Sequence, residues 1–250
     1  MPSQSPHDRP RPTGRDTAAH AIDPGPASNK LLQALPRKDS ELLASHFVPV
    51  ALPQGTVLFE AGQEVDEIYF PLSGMVSLVV LMQDGRAIET ATVGREGVVG
   101  AMAGLGLHVS RVRAIAQLPM FASRISTPQL RKAVEASKPI ANLCVRYNEV
   151  LLEQARSTCA CNALHSIEAR FCRWLLQTRD RVESNTIMLT QELLSERLGV
   201  RRTSVTAVAS KVQSEGAISC TRGVIKILDL QALKAISCEC YETLCEQIPS

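Results

Sequence analysis

Between positions 189 and 219 the chain reads LTQELLSERLGVRRTSVTAVASKVQSEGAIS, two helical patterns separated by a glycine. Leu193, Leu194 and Leu198 form the apolar side of the first. Thr190 is suited to cap its start, Glu192 places negative charge at its positive end, and Gly199 can adopt the left-handed conformation that ends it. In the second, Val205, Val208 and Val212 recur at helical spacing, while Arg202, Thr203, Thr206 and Ser210 share the opposite stripe. Residues 217–228 (AISCTRGVIKIL) then hold two β-prone runs around Arg222-Gly223, a tight-hairpin signal.

The earlier pattern is different. Residues 31–47 alternate apolar and charged positions at helical spacing. The runs TVLFE, EIYFPL, MVSLVVLM and AIETATV follow, punctuated by Gln54-Gly55, Ala61-Gly62, Ser73-Gly74 and Asp84-Gly85. Short strands between glycine turns predict a small antiparallel β-roll of jelly-roll type. A short helix at 127–132 leads to Pro139, a first-turn residue of a long helix. There Ile140, Cys144, Tyr147, Leu151, Gln154, Thr158 and Cys161 step alternately by four and three, the spacing of a two-helix seam. Cys161-Asn162 interrupts the pattern, and SIEARFCRWLLQTRDRV restarts a helix with Ile167, Phe171, Trp174 and Leu175 on its apolar face. The expected fold class is α+β: a disordered tail at 1–29, a β-roll sensor at 30–136, a dimerisation helix and hinge at 137–162, a winged helix-turn-helix at 163–236 and a cysteine-containing tail at 237–250.

Composition adds limits. At 250 residues the chain can build two cores. A net charge of +2 makes no case for nucleic acid, which must rest on where the basic residues stand. The tail has no apolar core for a signal peptide, and no run is long enough to span a bilayer, so a cytoplasmic protein without a membrane partner is expected. All eight cysteines lie at or after Cys144. In a reducing compartment most are ordinary thiols. Cys159 with Cys161, and Cys238 with Cys240, are candidate redox pairs. Cys238, Cys240 and Cys245 form a C-terminal group whose spacing suits metal binding or oxidation, but no histidine is near it in sequence, and no metal site is assigned.

The second helix of the 189–219 segment carries the chemistry. A helix about 12 Å across fits the DNA major groove, where arginine pairs with guanine and threonine meets a base edge or thymine methyl. Arg201, Arg202, Thr203 and Thr206 are the candidate base readers. Thr190, Ser210, Lys211 and Arg222 are candidate phosphate contacts that set orientation without reading sequence. Metal catalysis in the roll is not expected, because no histidine lies between 48 and 107. No nucleophile, base and acid constellation marks an enzyme.

Taken in order, β-roll, long helix, hinge and winged helix-turn-helix resemble the Crp-Fnr family of bacterial transcription regulators over residues 31–230. The likeness is carried by LTQELLSERLGVRRTSVTAVASKVQSEGAI, by YFPLSGMVSL and by the later DGR. It implies a homodimer on near-palindromic double-stranded DNA, with contact to RNA polymerase and an effector that biases the hinge. Arg202 matches the family's base-reading arginine. Ala207 stands where some members carry a second one, so the preferred site differs from theirs.

GREGVVGAMAGLGLHVSRVRA resembles the family's phosphate-binding cassette, making Gly100, Ala101, Ser110 and Arg111 the candidate effector pocket. Ala101 replaces the ribose-contacting glutamate, and Ser110-Arg111 reverses or shifts the arginine-serine pair. Cyclic AMP is therefore not the expected ligand, and another small anion is retained. Without an amino-terminal cysteine cluster or a pair of axial ligands, an iron-sulfur cluster and haem are not expected either. The alternative function is a ligand-binding regulatory subunit acting through protein contacts.

Overall fold

In the computed structural model, residues 29–246 are described; the tail expected at 1–29 lies outside them except for Asn29. Two short helices, α1 (Lys30–Gln33) and α2 (Arg37–Ala44), open the chain. Asn29 caps α1 by accepting from Leu32 N, while its buried amide donates to the carbonyls of Pro71 and Gly97.

Seven strands form the roll: β1 (Val48–Leu52), β2 (Val57–Phe59), β3 (Glu67–Pro71), β4 (Met75–Leu81), β5 (Ala87–Val93), β6 (Arg113–Leu118) and β7 (Met120–Ser126). They pair antiparallel in two sheets, ordered β1-β7-β3 and β2-β6-β4-β5. Gly74, at φ 73°, makes the β3–β4 turn possible, because a Cβ there would sit 2.4 Å from the Pro119 carbonyl oxygen. Phe70, Val76, Ala114, Ala122 and Ile125 fill the space between the sheets.

After α3 (Thr127–Ala136) comes α4 (Lys138–Leu164), 27 residues long, with Pro139 in its first turn and Ser137 as its cap. The expected break at Cys161-Asn162 falls later: the helix continues to Leu164 and ends at His165, whose backbone is extended. Asn162 is tolerated because the strong helix formers Ala160, Ala163 and Leu164 stand around it. Next come α5 (Ile167–Val182), β8 (Thr186–Met188), α6 (Gln191–Leu198), α7 (Arg202–Ser214), β9 (Ile218–Thr221), β10 (Val224–Ile227), α8 (Leu230–Ile236) and α9 (Cys240–Glu246). A second core, including Phe171, Leu175, Leu194, Val205, Val212 and Ile225, holds these elements together.

Two sequence expectations change here. In the segment read as a tail at 237–250, the described residues 237–246 are folded: α9 docks on α5, with Leu244 buried and the Tyr241 hydroxyl donating to Asp180 Oδ2 at 2.7 Å. The stripe read as a dimer seam faces inward within the same chain. Ile140, Cys144 and Tyr147 are buried in the roll's core, the half-buried Leu151 packs on its edge, and the buried Gln154 accepts from Thr92 N at 3.2 Å; Thr158 is half-buried. A four-three stripe reports an apolar partner without saying which, and here the roll is that partner. Among the described residues no helix is long and apolar enough to cross a membrane.

Candidate nucleic-acid interface and sensor pocket

At the C-terminal domain, Thr190 caps α6 by accepting from Leu193 N, and Gly199 turns the chain at φ 64°. Arg201 then takes the N-cap position of α7 in extended backbone, its side chain making no capping hydrogen bond. Val205, Ala209 and Val212 anchor that helix in the core, which leaves Arg201, Arg202, Thr203, Thr206 and Ser210 exposed as expected. Arg202 Nη1 lies 3.6 Å from Glu192 Oε2, with both side chains about two-thirds exposed. Such a pair is worth at most about 1 kcal/mol and yields readily to a phosphate or a base. Thr206 donates to the Arg202 carbonyl at 3.0 Å and lies 2.9 Å from Gln191 Oε1.

β9 and β10 form the expected wing, with β8 as a third strand in the order β8-β10-β9. Arg222 and Gly223 both have positive φ, so the arginine is held at the tip of a tight turn. Thr190, Arg202 and Arg222 line one cleft between α6, α7 and the wing. Lys211 is exposed but committed within the domain: its Nζ is 2.7 Å from Glu168 Oε2 and 3.9 Å from Glu215 Oε1, and the Glu168 hydrogen bond raises its pKa.

In the sensor, the cassette folds as a loop and a 3-10 helix (Ala101–Leu105) over a cavity of about 470 Å³ that is closed on its other side by α4. Gly100, Ala101, Ser110 and Arg111 all line it. Sequence reasoning missed the other wall, Asn148, Leu151, Leu152 and Ala155 of α4; a helix stripe gives no sign that it borders a cavity. The residues present do not fit a cyclic nucleotide. No carboxylate lines the cavity to accept from a ribose, the Ser110 hydroxyl already donates to the Val112 carbonyl at 2.7 Å, and most of the lining is apolar.

The two domains meet through buried polar groups that sequence patterns do not mark. Trp174 Nε1 donates to Glu89 Oε1 at 2.7 Å, Ser77 donates to Glu89 Oε2, and Arg197 Nε donates to Gln117 Oε1 at 2.8 Å. Arg197 Nε is 4.0 Å from Glu89 Oε2. Burial raises the Glu89 pKa and lowers that of Arg197, so at this distance desolvation outweighs their mutual attraction. Arg181 Nε pairs with Glu96 Oε1 at 3.0 Å, both side chains buried, tying α5 to the cassette loop. Next to that pair, Gly97 admits the Tyr147 hydroxyl; a Cβ there would lie 1.8 Å from it. That hydroxyl has no hydrogen-bond partner among the described residues, and burial raises its pKa well above the ordinary value.

The candidate thiol pairs are rearranged. Cys159 is exposed and Cys161 buried, because adjacent-but-one positions on a helix point apart. Cys161 Sγ instead lies 3.5 Å from Cys238 Sγ. The histidine that is remote in sequence is near in space: His165 Nδ1 is 3.6 Å from Cys240 Sγ. The expectation of no metal-ligand set rested on sequence distance, which the α4–α5 bend and α9 remove.

Together these features define a β-roll joined through a long helix to a winged helix-turn-helix. Residues 49–137 match the cyclic nucleotide-binding domain, and residues 169–236 match the Crp-like helix-turn-helix domain. The chain belongs to the Crp-Fnr family of transcription regulators. Its fold is similar to FixK2 from Bradyrhizobium japonicum (16% identity, TM-score 0.65, covering 77% of this chain and 98% of that one). It is also similar to a CRP-family transcriptional regulator from Thermus thermophilus (21%, 0.64, 75% and 96%) and to the c-di-GMP-responsive global regulator CLP of Xanthomonas campestris (18%, 0.63, 76% and 98%). No curated protein matches the sequence.

Proposed function

We propose that the chain acts in the cytoplasm as a homodimeric, sequence-specific DNA-binding regulator, with Arg201, Arg202, Thr203 and Thr206 reading bases and Thr190, Ser210 and Arg222 holding the backbone. The observation that carries this is the exposed face of α7: polar, free of acidic groups, and opening into the cleft that Arg202 shares with Arg222. The centre of a protein-docking surface would instead be depleted in charge and enriched in aromatic and other apolar side chains. Lys211 contributes only if it leaves Glu168.

For the dimer we place the seam one residue along α4 from the inward stripe. Ala141, Val145, Asn148, Leu152, Ala155 and Cys159 also step by four and three, and Val145 and Leu152 are 48% and 40% exposed. Asn148, Leu152 and Ala155 border the sensor cavity as well, so a partner helix would complete its wall. The effector suited to such a cavity is a largely apolar small molecule whose polar end meets Arg111. It would act through the cassette loop, since Glu96 joins that loop to Arg181 of the DNA-binding domain. Contact with RNA polymerase would follow from binding at promoters.

Selection of genomic fragments by the purified full-length chain tests this. Enriched sites should be near-palindromic, with half-sites about one helical turn (roughly 34 Å) apart, and affinity should fall steeply with salt. Failure to enrich any sequence, or binding of one chain to an asymmetric site, would reject it.

A further inference from the structure

We propose that Cys161, His165, Cys238 and Cys240 form a tetrahedral site for a soft divalent cation of the zinc class, stapling the C-terminal segment to the bend between α4 and α5. Their ligand atoms all lie within 4.8 Å of one another. A Zn–S bond of about 2.3 Å puts sulfurs about 3.8 Å apart in a tetrahedron, close to the 3.5 Å between Cys161 and Cys238. Three sulfurs and one nitrogen favour this class of metal over hard cations such as magnesium or calcium.

The chain supports the arrangement from both sides. Cys161 and His165 are one turn apart at the end of α4, so both reach the same side, and Cys238 and Cys240 close around them from the connection between α8 and α9. His165 Nε2 is 3.1 Å from Glu239 Oε1. That carboxylate holds the proton on Nε2 and leaves the Nδ1 lone pair towards Cys240, as outer carboxylates do for metal-bound histidines. Three thiolates on a dication carry one net negative charge. The buried Arg170 and Arg173, whose Nε atoms have no partner among the described residues, supply compensating charge. On binding, the three thiols release their protons to water, S–metal bonds replace S–H bonds, and no electron is transferred.

The test uses reduced, chelator-stripped full-length protein titrated with cobalt(II) and then zinc(II). One equivalent of cobalt per chain should give sulfur-to-metal charge-transfer absorption and tetrahedral ligand-field bands, both lost when zinc displaces it. Cys161→Ser, Cys238→Ser and His165→Ala should each abolish stoichiometric uptake, whereas Cys159→Ser and Cys245→Ser should retain it. Glu239→Gln, at an exposed carboxylate that the fold does not need, should weaken binding about 10–100-fold. The proposal fails if no equivalent is taken up, if uptake is indifferent to the substitutions at Cys161, Cys238, His165 and Glu239, or if Cys161 and Cys238 form a disulfide in place of binding metal. Uptake is read without DNA, so this outcome is independent of the DNA-binding function on which the chain's family role rests.

Discussion

Arg202 and Arg222 share a cleft but differ in what fixes them. Arg202 stands at the start of a helix held by Val205 and Val212, so its side chain can be presented to one base pair; Arg222 rides on a two-residue turn. Arg202→Ala should cost about 1–3 kcal/mol on the selected site and relax one base preference, while Arg222→Ala should weaken all sequences alike and reduce the salt slope by about one. Fluorescence anisotropy on selected and scrambled duplexes at several salt concentrations measures both. Equal losses on both duplexes for the two variants would remove the distinction.

For α4, two adjacent stripes of equal period face different ways: the inward one packs on the roll, and the outward one is the seam proposed for the dimer. Leu152→Asp puts a charge on the outward stripe and should convert the dimer to a folded monomer, seen as a halved mass in sedimentation with unchanged far-ultraviolet circular dichroism. Tyr147→Ala on the inward stripe should instead leave a cavity beside Gly97 and lower folding stability by about 3–5 kcal/mol, comparable to other buried aromatic truncations. Loss of dimerisation by Tyr147→Ala at full stability, with Leu152→Asp still dimeric, would return the seam to the inward stripe. The elements themselves were largely legible: the glycine turns, the Pro139 start, the α6–α7 pair and the Arg222-Gly223 hairpin all follow from local backbone preference. The α4 partner was not, because periodicity records burial and not the identity of what does the burying.

Across the whole molecule, the interface between roll and winged helix is polar at its centre, which makes it sensitive to protonation. Burial raises the Glu89 pKa above its ordinary 4.5. The unfolded chain therefore ionises this group first. The stability contributed by holding Glu89 protonated is complete below about pH 4.5 and is lost as pH rises from there through the folded-state value. Glu89→Gln should flatten that part of the pH–stability profile, measured by denaturant unfolding at a series of pH values; an unchanged slope would show that Glu89 is not the group responsible. Cutting the second strut, Glu96→Gln beside the buried Arg181, should destabilise by about 3–5 kcal/mol because it leaves a buried charge unpaired. Unfolding midpoints of this variant provide the check.

The sequence by itself determined the order of the elements, the capped helix pair, the exposed polar face of α7 and the residues of the 94–114 segment around the cavity of the roll. Each depends on short-range spacing, cap chemistry or a turn's need for positive φ. Tertiary structure alone decided that α4 turns its more apolar stripe to its own roll, that Glu89, Trp174, Gln117 and Arg197 meet across the domains, and that His165 joins Cys161, Cys238 and Cys240. Those side-chain contacts join residues 75 to 85 positions apart, and local periodicity carries no information about which distant groups a bend in the chain will bring together.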